Sequence, residues 1–183
     1  MKDNSSLSAD PHLARDVAAV LRDIPDFPQA GVTFKDFTPL LADAALSKRV
    51  VADVVSRHRG RVDVVAGIEA RGFLFGAVVA QQLEVAFVPI RKAGKLPRET
   101  YAVEYDLEYG SATLEMHVDA VASGQRVLVV DDVLATGGTG AATVELIHRA
   151  GGEVTAVEVV LEISALDGRS QLPSISVQAL LSD

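Results

Sequence analysis

The sequence contains no cysteine, which excludes disulfides and thiolate metal sites and fits a reducing compartment. It has no apolar run of about 18 residues, so no membrane-spanning helix is expected. The first ten residues are polar and lack the apolar stretch of a secretory signal, so the protein is expected in the cytoplasm, with residues 1–10 as a disordered arm. Positive charge is scarce: 17 Lys and Arg stand against 25 Asp and Glu, for a net charge of −8. Such a surface repels nucleic acid polymers and anionic membranes, so neither is an expected partner, and an anionic small molecule would need a local basic patch. The four histidines, His12, His58, His117 and His148, stand singly, so no histidine metal site is expected. His58, near the end of a predicted helix, reads as solvated or paired with the helix dipole. Two phosphate-binding motifs are missing as well. Gly138-Thr139-Gly140 continues Ala141-Ala142-Thr143 without the third glycine of a dinucleotide fingerprint, and Gly67 to Gly72 has Phe73 where a P-loop needs lysine.

What is present centres on residues 127–140. Val127 to Val130 reads as a strand buried on both faces. Asp131 and Asp132 stand at its C-terminal end, and a loop of small and hydroxyl residues runs into a helical pattern from Ala141 to Ala150. Glycines let backbone N–H groups approach an anion, Thr136 and Thr139 add hydroxyl donors, and the helix start supplies unpaired N–H groups and the positive end of its dipole. This pattern suits a phosphate, with two acids beside it for sugar hydroxyls or, through water, a metal ion. The residues alone leave open a plain strand-to-helix turn with solvated acids.

The 183 residues and 49% hydrophobic content suit one globular domain that buries roughly 70% of its unfolded surface. Leu13, Val17, Val20, Leu21 and Ile24 recur at helical spacing, which predicts an amphipathic helix over residues 11–23, and Pro25 and Pro28 end the pattern. Residues 26–39 hold three of the six phenylalanines among prolines and a glycine, the composition of a shaped loop. Packing and ligand contact are both open for it. A helix from Asp43 to near Gly60 follows. Val62 to Ile68, Phe73 to Leu83 and Val85 to Ile90 then form a βαβ unit, which requires parallel strands and a right-handed crossover.

Arg71 lies at the end of the first of those strands, beside a helix start. Arg91, Lys92, Lys95 and Arg98 place four basic residues in positions 91–98 of an acidic chain, which reads either as an anion site or as a solvated loop. Residues 96–119 alternate as a hairpin with Glu108-Tyr109-Gly110 at its connection, well placed to act as a lid. Strands at 154–163, interrupted by Glu158 and Glu162, and at 175–181 complete an α/β chain with a parallel core sheet. The N-terminal helix and loop fall outside the βαβ order and suit a cap over the strand C-termini.

Val129 to Thr139 resembles the phosphoribosyl-pyrophosphate motif of the type I phosphoribosyltransferases, and this motif is long and specific. Phe27-Pro28 with Gly31 to Asp36, Gly67 to Gly76, Arg91 to Pro97 and Leu107 to Gly110 are similar to stretches of the adenine-specific branch, and all five occur in family order. The resemblance implies a type I phosphoribosyltransferase-like α/β fold over residues 11–183, with a central, mostly parallel sheet flanked by helices, a hood from about residues 11–40 and a hairpin lid. It also implies a homodimer, a magnesium ion carried by the substrate with no direct protein ligand, and transfer of a phosphoribosyl group from phosphoribosyl pyrophosphate to adenine, yielding AMP and pyrophosphate.

The roles it implies are specific. Asp131 and Asp132 hold the ribose hydroxyls, and Ala135, Thr136, Gly137, Gly138 and Thr139 hold the 5′-phosphate. Arg71, Arg91, Lys92, Lys95 and Tyr109 attend the pyrophosphate, and Glu108 handles the purine proton. Main-chain groups of Thr33 and Lys35 read the adenine edge, with Phe34 and Val133 on its ring faces. Another purine phosphoribosyltransferase and a nucleotide-sensing regulator on the same fold remain as alternatives. The regulator is disfavoured by the charge of −8 and by the lack of a basic helix-turn-helix pattern.

Overall fold

The computed structural model describes residue 10, residues 12–106 and residues 111–183. They form two compact units, one reaching to Arg57 and the other starting at His58. Most of the expected disordered arm lies outside the described residues.

The first unit begins with α1 (Leu13–Val20), which buries Leu13 and Val17. The helix is shorter than residues 11–23. Leu21 is already extended (ψ 145°), and Arg22–Ile24 forms a strand, β1. Pro25 explains the difference: the residue before a proline is pushed out of the helical region, so Ile24 pairs as a strand instead of closing the helical stripe. Its partner is β2 (Phe34–Asp36), antiparallel, in the register Arg22↔Asp36, Asp23↔Lys35 and Ile24↔Phe34. The loop between them closes on Asp26, whose carboxylate accepts the Gly31 N–H at 2.8 Å. Phe27 meets Phe34 edge-on at 5.2 Å. Next come α2 (Thr38–Ala42), with Pro39 in its first turn, and α3 (Ala44–His58). Asp43 caps α3 by accepting the Leu46 N–H at 2.9 Å.

The second unit is built on a sheet. Its strands are β3 (Val64–Ile68), β4 (Ala86–Lys92), β5 (Thr100–Asp106), β6 (Ser111–His117), β7 (Arg126–Val130), β8 (Val133–Leu134), β9 (Glu153–Glu162) and β10 (Val177–Ser182). Among the described residues the order is β10-β9-β7-β3-β4-β6-β5, with β8 beside β9. The run from β10 to β4 is parallel, and β6 and β5 are antiparallel. α4 (Arg71–Leu83) makes the β3–β4 crossover, and α5 (Gly138–Arg149) links β8 to β9. All five residues of β3 and four of β7 are buried, which is why both read as continuous apolar runs.

The expected hairpin is present as β5 and β6, but it continues the sheet. Its inward residues Val103, Leu114 and Met116 belong to the same buried cluster as Leu146 and Ile147 of α5. Arg149 at the end of α5 donates to the Ala102 carbonyl at 2.7 Å. Apolar packing thus fixes the base of the hairpin; the connection 107–110 lies outside the described residues.

His58 differs from its sequence-based expectation. It is buried, and its Nε2 lies 2.6 Å from Oε1 of Glu158, itself buried on β9. A carboxylate 100 positions away in sequence supplies the polar partner that a buried imidazole requires.

Candidate active site

Parallel pairing sets the site. β3 and β7 are neighbours in the register Gly67↔Val130, so the segments leaving their C-terminal ends emerge side by side. Glu69, Ala70 and Arg71 leave one strand and Asp131 and Asp132 leave the other, at the edge of the sheet where open α/β folds bind ligands. Gly72 makes the approach possible: a Cβ there would stand 2.6 Å from the Val130 carbonyl oxygen and 3.1 Å from Oδ1 of Asp131. The helix that starts at Arg71 therefore lies directly against the acid pair.

The two acids have different surroundings. Asp132 is buried and ion-paired with Arg71. Its carbonyl accepts the N–H groups of Val160 (3.1 Å) and Leu161 (3.0 Å), which ties the turn to β9. Asp131 is half-buried, its N–H donates to the Glu158 carbonyl at 3.0 Å, and its Oδ1 accepts the Asp132 N–H at 2.9 Å. Burial, and then the negative charge of Asp132, push the Asp131 carboxyl well above the usual carboxylate range, with Arg71 acting in the opposite sense.

Beyond Asp131 the chain forms β8 and the loop 135–137, and α5 starts at Gly138, three residues before the apolar pattern suggested. A cavity of about 80 Å³ is bounded here by Asp131, Val133 to Gly137, Thr139 and Gly140, with Ile68, Val157 and Val159 behind. Gly137 has φ +86°, a conformation L side chains rarely adopt, and it turns the loop into the helix. Among the described residues no backbone acceptor takes the N–H groups of residues 135–137. Those groups immediately precede the first unpaired N–H groups of α5, at the anion-favouring end of its dipole.

The cations are unequally engaged. Arg91 is held by Glu69 (Nε to Oε2 3.2 Å), which also accepts the Lys92 N–H at 3.1 Å. Arg91 holds the Glu69 carboxyl below its ordinary range. Arg91 also donates to the Lys95 carbonyl at 3.0 Å, which closes the basic turn on itself. Arg98, the fourth member of the basic run, pairs instead with Asp119 at 2.6 Å. Lys92 and Lys95 are exposed, with no ion pair among the described residues. Glu69 is a member of the site that the sequence did not single out, because its role depends on the Ile68↔Ile90 register that brings the ends of β3 and β4 together.

Thr33, Phe34 and Lys35 belong to the first unit, and the Lys35 ammonium is paired with Asp23 at 2.9 Å, opposite it across the β1–β2 ladder. Val133 is in β8, at the edge of the cavity. Glu108 and Tyr109 lie outside the described residues.

Known proteins resemble this chain in sequence and in fold. A family profile described as "phosphoribosyl transferase domain" matches residues 40–175. An adenine phosphoribosyltransferase of Thermobifida fusca is 56% identical over 161 residues, covering 87% of this chain and 92% of its own. The crystal structure of the adenine phosphoribosyltransferase of Thermoanaerobacter pseudethanolicus superposes with a TM-score of 0.90 at 46% identity, covering 93% of this chain and 99% of its own. That of Saccharomyces cerevisiae, complexed with D-2,5-dideoxy-2,5-imino-altritol 1,6-bisphosphate and adenine, has a TM-score of 0.90 at 36% identity, covering 94% and 100%. A family model that spans most of the chain and a relative 56% identical over nearly its whole length show that the chain belongs to the phosphoribosyltransferase family, within it to the adenine phosphoribosyltransferases.

Proposed function

We propose a division of labour among these residues for the family's reaction. That reaction is transfer of the 5-phosphoribosyl group from phosphoribosyl pyrophosphate to adenine: the bond from C1 to the pyrophosphate oxygen breaks, a bond from C1 to N9 forms, and the N9 proton leaves, giving AMP and pyrophosphate. The 5′-phosphate sits against the N–H groups and hydroxyls of Ala135 to Thr139. The cavity bounded by this loop carries the assignment, since it joins a helix start, a positive-φ glycine and an acid on one wall. Asp131 and Asp132 together take the ribose 2′- and 3′-hydroxyls and hold C1 in place for attack.

Arg71, Arg91, Lys92 and Lys95 offset the charge that develops on the leaving pyrophosphate. In the free protein Arg71 is engaged with Asp132, so substrate must compete for it, whereas Lys92 and Lys95 meet the anion directly. Tyr109 covers the pyrophosphate, and Glu108 accepts the N9 proton or a hydrogen bond from it. The N–H and carbonyl groups of Thr33 and Lys35 read the 6-amino edge of adenine. Pairing of the Lys35 side chain with Asp23 supports a main-chain role for that residue. Phe34 and Val133 pack on the ring.

Magnesium enters with the substrate. Asp131 and Asp132, one of them already paired with Arg71, do not make a protein cage, and they would reach an ion held by the substrate phosphates only through its water. When bound, the ion neutralises charge on the pyrophosphate.

The assembly we propose is a homodimer, supported by the exposed apolar side chains Leu74 and Val78 one turn apart on α4. Sedimentation should show a dimer that Leu74→Glu weakens; a monomeric wild type would refute this. No helix among the described residues is long and apolar enough to cross a membrane, and the cysteine-free composition supports a cytoplasmic location.

The decisive experiment incubates the protein with magnesium, phosphoribosyl pyrophosphate and each purine base in turn. AMP from adenine, with little product from hypoxanthine or guanine, is the expected result. Turnover of another base in preference to adenine would overturn the base assignment.

A further inference from the structure

The phosphate loop has a wall that its own sequence does not encode. Two short 3-10 turns, Ser164–Leu166 and Gly168–Gln171, follow β9, and the second lies against the loop. A Cβ on Gly168 would stand 2.2 Å from the Ala135 carbonyl oxygen and 3.0 Å from Cγ of Leu134. A Cβ on Gly137 would in turn stand 2.2 Å from the Gly168 carbonyl oxygen and 2.9 Å from Cβ of Gln171. The fit is reciprocal, backbone against backbone, and neither side has room for a methyl group. Three residues on from Gly137 and four on from Gly168 the contact is ordinary: a Cβ on Gly140 would meet Leu172 at 3.4 Å.

The wall is also tethered. Arg169 donates to both oxygens of Glu162 (Nε to Oε1 2.7 Å, Nη2 to Oε2 2.7 Å) and to the Val177 carbonyl at 2.8 Å. Glu162 is buried at the end of β9, in register with Leu134 of β8. This carboxylate, one of the two that interrupt the strand, thus has a task. It holds Arg169, the neighbour of Gly168, at the level where the chain turns from Leu134 into the phosphate loop. The Ile163 N–H donates to the Leu134 carbonyl at 2.9 Å and ties the two segments from the other side.

A loop of three residues between a two-residue strand and a helix has few internal bonds to define it. Its N–H groups converge on a phosphate only if something fixes the carbonyl that precedes them. We propose that Gly168, anchored through Arg169 and Glu162, is a positioning residue for the donor: its bare backbone sets the place of Ala135 and Gly137 and so the aim of the phosphate-binding N–H groups. The role rests on the assignment of residues 135–139 to the 5′-phosphate, and Gly168 itself does not line the cavity.

Gly168→Ala forces the Ala135 carbonyl to move by about 1 Å to restore normal contact, a displacement of the size that costs on the order of a hundredfold in an ordered site. The expected result is a Michaelis constant for phosphoribosyl pyrophosphate raised at least about tenfold. The constant for adenine, measured at saturating donor, stays within about twofold, and circular dichroism matches that of the wild type. A folded Gly168→Ala protein with an unchanged donor constant would overturn the proposal, as would equal losses for both substrates.

If Gly168→Ala does not accumulate in folded form, Arg169→Gln decides by the same criterion, since it loosens the tether without adding bulk near the loop. Thr136→Phe, at an exposed loop position, separates the two levels of the reading. If it raises the donor constant and the tether variants do not, the wall has no role and the phosphate loop stands. If it too leaves the constant unchanged, the loop assignment falls first and the proposal with it.

Discussion

Asp131→Asn is expected to make the free protein more stable and the enzyme worse. The carboxyl is held above its ordinary range by burial and by the charge of Asp132, so the folded chain binds its proton more tightly than the unfolded chain does. The sign follows from linkage. Stability contributed by this group is fully present below its unfolded value, near 3.8, and is lost as pH rises through the higher folded value. Over that window the slope approaches one proton, about 1.4 kcal/mol per pH unit. Asparagine keeps the shape and an acceptor for the Asp132 N–H but removes the titration. The difference in unfolding free energy between variant and wild type should therefore be smallest near pH 4, grow in favour of the variant at about 1.4 kcal/mol per unit, and level off above the folded value.

For a chain of this size each unit is worth about 3–6 °C in melting temperature. Urea or thermal unfolding without ligand at half-unit steps from pH 4 to 8 reads the curve. Turnover should move the other way, with kcat/KM for the donor falling about ten- to hundredfold, the value of a hydrogen bond to a charged acceptor. A flat difference curve, or a variant less stable than wild type at pH 7, would refute the account of Asp131 as a carboxylate kept under electrostatic stress until substrate hydroxyls arrive.

Other expectations are independent of that one. His58→Ala deletes the 2.6 Å bond to the buried Glu158 carboxylate and should lower stability by about 1.5–3 kcal/mol in urea unfolding; a variant as stable as wild type would show that the pair contributes nothing net. Glu108→Gln should lower kcat more than it changes either Michaelis constant, if the group acts on the N9 proton in the transition state; an unaltered rate reduces Glu108 to a lid residue. Gly72→Ala places a methyl 2.6 Å from the Val130 carbonyl, where the start of α4 meets the acid pair. It should lower kcat/KM for the donor with little effect on the adenine constant, and a normal enzyme would mean that α4 is free to retreat there.

The chain wrote its central sheet in apolar runs, because strands covered on both faces must be apolar throughout, and Val64 to Ile68 and Val127 to Val130 are. It wrote its anion loop in glycines and hydroxyl residues, because only such residues admit a phosphate to the backbone, and Asp131 to Thr139 were legible for that reason together with the family resemblance. Tertiary structure decided which charges meet. Arg71 reaches Asp132 across 61 positions, Glu69 reaches Arg91 across 22, and Glu158 reaches His58 across 100, pairings set by strand order and register. Local spacing carries no trace of them, so in the sequence His58 reads as solvated or dipole-paired and Glu69 does not stand out. The end of α1 at Val20 is hidden in the sequence for a related reason. Ile24 continues a helical stripe, yet Pro25 and a partner strand ten residues on claim it for a sheet. The glycine wall at Gly168 shows the same limit at its sharpest, since a residue without a side chain announces nothing until the fold brings another backbone within reach of where its Cβ would be.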